Sequence, residues 1–161
     1  MMKLKVLQKI ADSGPVPRVR AEGSEQAARI AEACAEGGVA AIEIAFTVPC
    51  PANVIRDLAQ RFTTNELLIG AGTVLDPETA RVATLSGAQF VVSPTLNPET
   101  ARLCNRYQVP YIPASTLKRG DRRNGVWRRY RKGLSGRTLG PAFVMAVRGP
   151  LPKASHANRG H

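Results

Sequence analysis

The sequence lacks the features that mark membrane-spanning proteins, secreted proteins and proteins stabilised by a structural metal site. No apolar run approaches the roughly eighteen residues that a membrane helix requires, and residues 1–12 contain no signal-peptide core. The three cysteines, Cys34, Cys50 and Cys104, are too few and too scattered for a disulfide or zinc framework. These absences predict a protein of the reducing cytoplasm without a membrane partner, and we expect neither a metal ion nor an organic cofactor.

The composition is that of an ordinary globular domain, but the charge is unusual. The chain has 161 residues, of which 43% are hydrophobic and 22% are charged. These values exclude collagen-like, coiled-coil and wholly disordered proteins, and the length allows one domain with a buried core. The net charge of +11 normally suggests a nucleic acid or an anionic surface as the partner.

The positive charge is confined to the end of the chain. Residues 1–117 contain 11 Lys and Arg against 11 Asp and Glu, whereas residues 118–137 contain nine basic residues and only Asp121 as an acid. In that segment the basic residues are interleaved with Trp127 and Tyr130, a pattern that also occurs in nucleic-acid-binding tails. A nucleic-acid-binding module is therefore the rival hypothesis to an enzyme.

Short apolar runs alternate with helical patterns over the first 117 residues. Continuous apolar strands that alternate with helices are typical of a parallel sheet buried on both faces. The strands begin at intervals of roughly 21 to 28 residues, which suits a (β/α)8 barrel better than a doubly wound sheet, although the latter stays open. The motif GAGTV at 70–74 is not a GxGxxG motif, so a dinucleotide site is weakly supported. The predicted strands are 15–20, 39–46, 67–72, 89–93 and 110–113.

Four helices are predicted between these strands from their start and stop signals. Ser24 is expected to cap the first helix, and Gly37-Gly38 is expected to end it. The second helix begins at Pro51. In the third, Asp76-Pro77-Glu78 takes the N-cap, N1 and N2 positions, and the fourth begins from Asn97-Pro98.

In a barrel of this kind, functional side chains lie at the carboxyl ends of the strands. The corresponding positions here are Arg20, Glu43, Thr73 and Ser93-Pro94. Glu43 is the most informative, because a carboxylate inside an otherwise apolar strand can serve as a general acid/base. The structural alternative is an interior Glu that is paired with a neighbouring arginine such as Arg20. Cys50, which lies between two prolines, has no visible His and Asn partners and is expected to be structural.

Several ordered motifs resemble the KHG/KDPG aldolases. The resemblance covers about residues 10–116 and resumes over 138–152. It implies a class I aldolase on a (β/α)8 barrel, which cleaves 2-keto-3-deoxy-6-phosphogluconate to pyruvate and glyceraldehyde 3-phosphate, 4-hydroxy-2-oxoglutarate to pyruvate and glyoxylate, or both. It also implies a homotrimer that acts on small keto acids. The motifs are IEIAFTVP (42–49), IGAGTVLDPE (69–78), GAQFVVSP (87–94) and VPYIP (109–113).

The resemblance also implies roles for individual residues. Glu43 falls on the general acid/base of the family, and Thr73 and Pro94 fall on positions of its pyruvate pocket. Arg20 falls on an active-site arginine of the family. Some members carry a substrate-contacting arginine four residues after the Glu, where this chain has Thr47. The contact is then expected to come from elsewhere, for example from Arg20.

The chemistry of a class I aldolase requires a lysine. The substrate carbonyl condenses with a neutral amine, and the protonated imine accepts the electron pair of the broken C–C bond. In the family this lysine precedes an L-G-P-x-F segment, and counting back without gaps from Thr138 places Lys132 at its position. The neighbours of Lys132 are polar and basic, whereas the family has a buried strand there, and Leu134 and Ser135 replace its Phe and Pro.

We hypothesise that two stretches of the chain are out-of-frame translation. Codons compatible with Trp127–Arg137, when they are translated one nucleotide downstream, permit the peptide G-V-D-I-V-K-V-F-P-G, which is the missing family strand with its lysine. The same shift over 155–161 permits L-M-P-T-G-G, the next strand of the family. Resequencing the gene is the test of this hypothesis.

This hypothesis divides the chain into four parts. Residues 1–116 hold βα units 1–5, and residues 117–137 are an aberrant basic segment. Residues 138–154 are a family-like helix, and residues 155–161 are an aberrant tail. We then expect an incomplete barrel of five or six strands, whose seventh and eighth strands are lost beyond the end of the sequence. An inactive remnant of an aldolase is the alternative to an active enzyme.

Overall fold

Five parallel strands lie side by side in the order in which the chain forms them. The computed structural model describes residues 2–13 and 16–113. Lys132 and the predicted segments 117–137, 138–154 and 155–161 lie outside the described residues. The helices and strands are α1 (Met2–Ser13), β1 (Arg18–Val19), α2 (Ser24–Glu36), β2 (Ala41–Ala45), α3 (Pro51–Arg61), β3 (Leu68–Gly72), α4 (Pro77–Leu85), β4 (Val91–Ser93), α5 (Pro98–Arg106) and β5 (Tyr111–Pro113).

The order of the strands distinguishes the two sheet types that the sequence leaves open. In a doubly wound sheet the order reverses at a switch point, whereas the strands of a (β/α)8 barrel follow one another around its wall. Here the order is β1-β2-β3-β4-β5 and each neighbouring pair is parallel. The predicted fold class is thus confirmed: residues 16–113 form five strands of a barrel wall, with β1 and β5 as the outer strands of the described sheet.

The two faces of the sheet have different partners. Ile42, Ile44 and Ile69 belong to the larger core cluster, which also contains the buried side chains of α2 to α5. The opposite, inner face forms a second cluster, in which Val6 and Ile10 of α1 join the inward side chains of the strands. Burial on both faces explains why β3 is apolar throughout and why β2 is apolar except for Glu43. The inward side chains of this second cluster are Ala41, Leu68, Phe90, Val92 and Ile112.

The sequence predictions differ from the structure mainly at the ends of elements. β1 pairs with β2 only over Arg18–Val19 and not over the whole of 15–20. Ser24 does not cap α2 but is its first residue, and the N-cap is Gly23, which makes no side-chain cap bond. Instead, the Glu22 N–H donates to Oε1 of Gln26 at 2.9 Å, so a side chain from inside the helix closes this end. No sequence signal used above predicts α1.

The predicted caps of α4 and α5 are confirmed, and they provide a pH-dependent test. We expect Asp76→Ala to lower the free energy of unfolding by about 1 kcal/mol at neutral pH. The Thr79 N–H donates to Oδ1 of Asp76 at 2.6 Å, and this bond lowers the pKa of the carboxyl below its ordinary value of 3.8. Because the pKa is depressed in the folded state, the stabilisation is present above the ordinary value and is lost as the pH falls through the folded-state pKa.

Asn97→Ala is the matched control, because Asn97 caps α5 with an amide that does not titrate. The N–H groups of Glu99 and Thr100 donate to its Oδ1 at 2.9 and 3.1 Å. Thermal unfolding between neutral pH and pH of about 2 distinguishes the two caps. The deficit of the Asp76 variant should vanish in acid while that of the Asn97 variant persists, and a persistent deficit in both would contradict the assignment.

None of the helices in the described part of the chain has the length and apolarity that a bilayer crossing requires.

Candidate active site

Glu43 lies in the middle of β2 and faces the inner side of the sheet. Its side chain is buried, and it lies between Ile42 and Ile44, which point to the helices. Nε of Arg18 donates to Oε1 of Glu43 at 2.7 Å. The two residues are direct partners in the parallel pairing of β1 and β2, so the register of the sheet places them side by side. The buried carboxylate is therefore held by a charged donor from the next strand.

The partner of Glu43 is not the arginine that the sequence suggests. The sequence suggests Arg20, but the ion pair is made by Arg18, two residues earlier in the chain. The Arg18 side chain is 36% exposed and that of Glu43 only 1%. Arg20 follows β1 and is exposed. This leaves Arg20 available as the active-site arginine that the resemblance implies, and this role stays a prediction.

Two glycines of β3 shape the inner face beside Glu43. A Cβ on Gly70 would lie 2.3 Å from the ring of Phe90, and a Cβ on Gly72 would lie 3.0 Å from Cδ of Glu43. Such close approaches are a known use of glycine inside a strand. Gly70 therefore makes room for the Phe90 ring, and Gly72 makes room for the carboxylate. The alternation of glycines in GAGTV is the sequence signal for this arrangement.

Thr73, which follows β3, has a strained backbone. Its φ of 60° lies in the left-handed region, which a β-branched residue rarely adopts and which costs about 1–2 kcal/mol. The backbone on both sides is fixed by the neighbouring strands: Phe46 N–H donates to Gly72 O at 2.8 Å, and Val74 N–H donates to Val92 O at 3.1 Å. Residues held in such conformations cluster at functional sites, which supports the predicted role of Thr73.

The loop after β4 carries Pro94 and is held by a network of hydrogen bonds. Ser93 Oγ and the Tyr111 hydroxyl both donate to Thr95 O, at 2.7 and 3.0 Å. The backbone N–H of Asn97 donates to the Tyr111 hydroxyl at 3.1 Å, and Nδ2 of Asn97 donates to Leu75 O at 3.3 Å. The loops after β3 and β4 are thus tied to each other and to β5. Tyr111, which no sequence signal marks as functional, therefore holds the loops at this end of the sheet in place.

The remaining predicted residues lie at the same edge of the sheet. In a parallel sheet the carboxyl ends of all strands meet at one edge. Arg20 follows β1, Thr47 follows β2, Thr73 follows β3 and Pro94 follows β4. The topology therefore places all four at the carboxyl end of the sheet. Thr47 is exposed. The role of each residue toward a substrate stays a prediction.

Neither of the two helical cysteines contributes an activated nucleophile to this site. Cys34 and Cys104 lie on helices, and burial raises the pKa of both thiols, to about 11 for Cys104. Cys50 is exposed and is the N-cap of α3, with φ at 46° and no side-chain cap bond. Within residues 2–13 and 16–113, no group of three or more His, Cys, Asp or Glu side chains is arranged to hold a metal ion.

Sequential parallel strands that alternate with helices, with the predicted site residues after the strand ends, place the chain in the class of (β/α)8-barrel proteins. Comparison with family models narrows this class to one family. The model of the family "Aldolase: KDPG and KHG aldolase" matches residues 6–118. The chain belongs to this aldolase family, as the sequence motifs predict.

Curated relatives carry the corresponding names. A 2-dehydro-3-deoxy-phosphogluconate aldolase of Treponema pallidum is 40% identical over 98 residues, which are 61% of this chain and 46% of that protein. The KHG/KDPG aldolase of Escherichia coli K12 is 34% identical over 107 residues, 66% of this chain and 49% of that protein. A 2-dehydro-3-deoxy-phosphogluconate aldolase of Pseudomonas aeruginosa is 36% identical over 127 residues, 76% of this chain and 56% of that protein. The chain therefore spans about half the length of the curated relatives it matches.

Solved structures agree with the fold. The 4-hydroxy-2-oxoglutarate aldolase/2-deydro-3-deoxyphosphogluconate aldolase from TTHB1 superposes with a TM-score of 0.76 at 28% identity, over 92% of this chain and 74% of that one. The KDPG aldolase of Legionella pneumophila superposes with a TM-score of 0.71 at 22% identity, over 89% of this chain and 70% of that one. In that structure, pyruvate is captured at low pH as a covalent carbinolamine intermediate.

Proposed function

We propose that the protein is a class I aldolase that cleaves 2-keto-3-deoxy-6-phosphogluconate, 4-hydroxy-2-oxoglutarate or both. The observation that carries the proposal is Glu43, a buried carboxylate on the inner face of a barrel wall whose family consists of such aldolases. The names of the relatives support these two substrates. The covalent pyruvate adduct of the Legionella protein supports covalent catalysis through an amine.

In the proposed reaction, a lysine amine condenses with the keto group of the substrate to form a protonated imine and water. Removal of the proton from the C4 hydroxyl then breaks the C3–C4 bond, whose electron pair moves to the imine nitrogen. The aldehyde product, glyceraldehyde 3-phosphate or glyoxylate, departs and leaves an enamine. Protonation of the enamine carbon and hydrolysis of the imine release pyruvate and restore the amine.

Each residue of the site has a place in this sequence of steps. Glu43 is the general acid/base that accepts the hydroxyl proton and returns a proton to the enamine carbon. Lys132 supplies the amine, on the strength of its position relative to the family motif. The edge residues bind the substrate and orient its carboxylate and phosphate; they are Arg20, Thr47, Thr73 and Pro94.

Trapping with borohydride tests this proposal. Incubation with pyruvate and sodium borohydride should add one reduced pyruvate to the protein, as detected by intact-mass spectrometry, and peptide mapping should place it on Lys132. Lys132→Ala should lose the adduct, whereas the control variant Lys118→Ala should retain it. An untrappable wild-type protein would contradict the active aldolase and support the inactive remnant.

We further infer that the protein is a cytoplasmic homotrimer without a nucleic-acid partner. Large apolar side chains that a partner subunit could cover are exposed on α4 and on the loops after β3 and β4, namely Leu75, Val82, Leu85 and Leu96. Sedimentation equilibrium should yield three times the mass of the chain. A monomer would contradict the trimer, and salt-dependent binding of RNA would favour the rival nucleic-acid module.

A further inference from the structure

We propose that Arg18 is a positioning residue that holds the Glu43 carboxylate in place for proton transfer. The inference rests on the proposed function, in which Glu43 moves protons between substrate and enamine carbon. Arg18 itself needs no contact with the substrate for this role. It acts through the geometry of the carboxylate, and neither the family motifs nor the resemblance assigns it a function.

The contact between Arg18 and Glu43 is short, charged and set by the backbone. Nε of Arg18 lies 2.7 Å from Oε1 of Glu43, which is typical of a charge-assisted hydrogen bond. The two residues are direct partners in the ladder between β1 and β2. Because the register of the sheet places the two Cα atoms opposite each other, the Arg18 guanidinium reaches the Glu43 carboxylate directly.

A second strand holds the same carboxylate from its other side. The missing side chain of Gly72 lets β3 approach so closely that a Cβ there would lie 3.0 Å from Cδ and 3.2 Å from Oε1 of Glu43. The carboxylate thus lies between the guanidinium from β1 and the backbone of β3. A general acid/base works efficiently only when its oxygen is held at a defined position relative to the reacting atom. The hydrogen bond from Arg18 supplies that restraint, and the absence of a side chain at Gly72 leaves the room that the carboxylate occupies.

The degree of exposure of the two partners also fits a positioning role. Glu43 is 1% exposed, so its charge needs a partner inside the fold, whereas Arg18 is 36% exposed. An ion pair that served only to join the strands would be as effective with any geometry that neutralises the charge. A positioning residue, in contrast, should not be replaceable by a cation that lacks the planar guanidinium.

Exchange of the pyruvate methyl protons with D2O distinguishes a positioning residue from an ion-pair partner that only joins the strands. In the imine adduct with the enzyme, a methyl C–H bond breaks and its proton moves to Glu43. The electron pair of that bond becomes the C=C bond of the enamine, and the C=N pair moves to the imine nitrogen, which becomes neutral. Return of a deuteron completes the exchange, which proton NMR follows as loss of the methyl signal. Borohydride trapping measures the amount of adduct independently, so the exchange rate can be expressed per trapped site.

We expect Arg18→Met to trap pyruvate as well as the wild type but to exchange its protons about 10- to 100-fold more slowly per trapped site. Arg18→Lys keeps the charge and should recover only part of this loss. Arg29→Met is the matched control, because Arg29 is exposed on α2, away from the inner face, and its exchange rate should equal that of the wild type.

Each outcome decides between the possibilities. Wild-type exchange in Arg18→Met with intact trapping would overturn the positioning role and leave the proposed function standing. If Arg18→Met does not fold, Arg18→Lys decides: wild-type exchange in this folded variant would overturn the positioning role, and slower exchange would support it. Failure of the wild-type protein to trap pyruvate would contradict the proposed function, and the role of Arg18 with it.

Discussion

Glu43→Gln is expected to reduce the rate of aldol cleavage by about 10²- to 10⁴-fold while leaving the borohydride-trapped pyruvate adduct intact. The amide has nearly the shape of the carboxylate, so it fits the narrow space beside Gly72. It cannot accept and return a proton at neutral pH, however, so the steps that break and reprotonate carbon should be slow. Adduct formation depends on the lysine and should survive.

The rate of cleavage can be measured by coupling pyruvate release to its reduction by lactate dehydrogenase. Glu36→Gln is the matched control, because it makes the same change at an exposed position on α2, and it should leave the rate unaltered. If Glu43→Gln cleaves substrate within about threefold of the wild type, Glu43 is only the partner in a buried ion pair and the proton must be moved by another group.

Gly70→Ala is expected to lower the free energy of unfolding by about 1–3 kcal/mol. The added Cβ would lie 2.3 Å from the Phe90 ring, which is itself fully buried on the inner face and cannot move without displacing its neighbours. Each kcal/mol should lower the melting temperature by about 2–4 °C in a chain of this length. Urea denaturation, followed by circular dichroism, measures the change directly.

Two further variants make this prediction specific to the contact with Phe90. Gly23→Ser adds a side chain at a glycine with no atom within 4 Å of its Cβ position, so it should not destabilise the protein. The double variant Gly70→Ala with Phe90→Leu should be less unstable than the sum of its single changes, because the smaller side chain makes room for the methyl group. Strict additivity would contradict the proposed clash.

The Glu43→Gln variant could be designed from the sequence alone, whereas Gly70→Ala required the contact between β3 and Phe90 that the structure shows. The run around Glu43, which is apolar apart from this residue, predicts a buried strand with one carboxylate, and β2 confirms both. The caps at Asp76 and Asn97 are equally local, because a side chain bonds to backbone groups two or three residues away. Ser24 shows the limit of such signals, since the N-cap of α2 is Gly23 and the side chain of Gln26 bonds to the Glu22 N–H at this end.

The contacts between strands depend on register, which local patterns do not contain. Arg18 and Arg20 are two residues apart, a spacing that would place both on one face of an extended strand, and only the pairing with β2 shows that Arg18 meets Glu43. Likewise, the two glycines of β3 have a clear spacing, but their purpose follows from the residues that the adjacent strands bring opposite them, Phe90 and Glu43. Such contacts can be located only when the pairing and register of all strands in the sheet are known.

The chain thus divides into what its sequence determined and what its tertiary structure decided. The alternation of apolar strands and helices determined a parallel βα fold, and the ordered motifs determined the aldolase family, because both depend on residue types at fixed intervals along the chain. The sequence also determined the confinement of the positive charge to residues 118–161, and its explanation by a shifted reading frame stays a prediction. The sequential strand order, the partner of Glu43 and the strain at Thr73 were decided only in three dimensions, since each depends on which backbone segments are brought side by side.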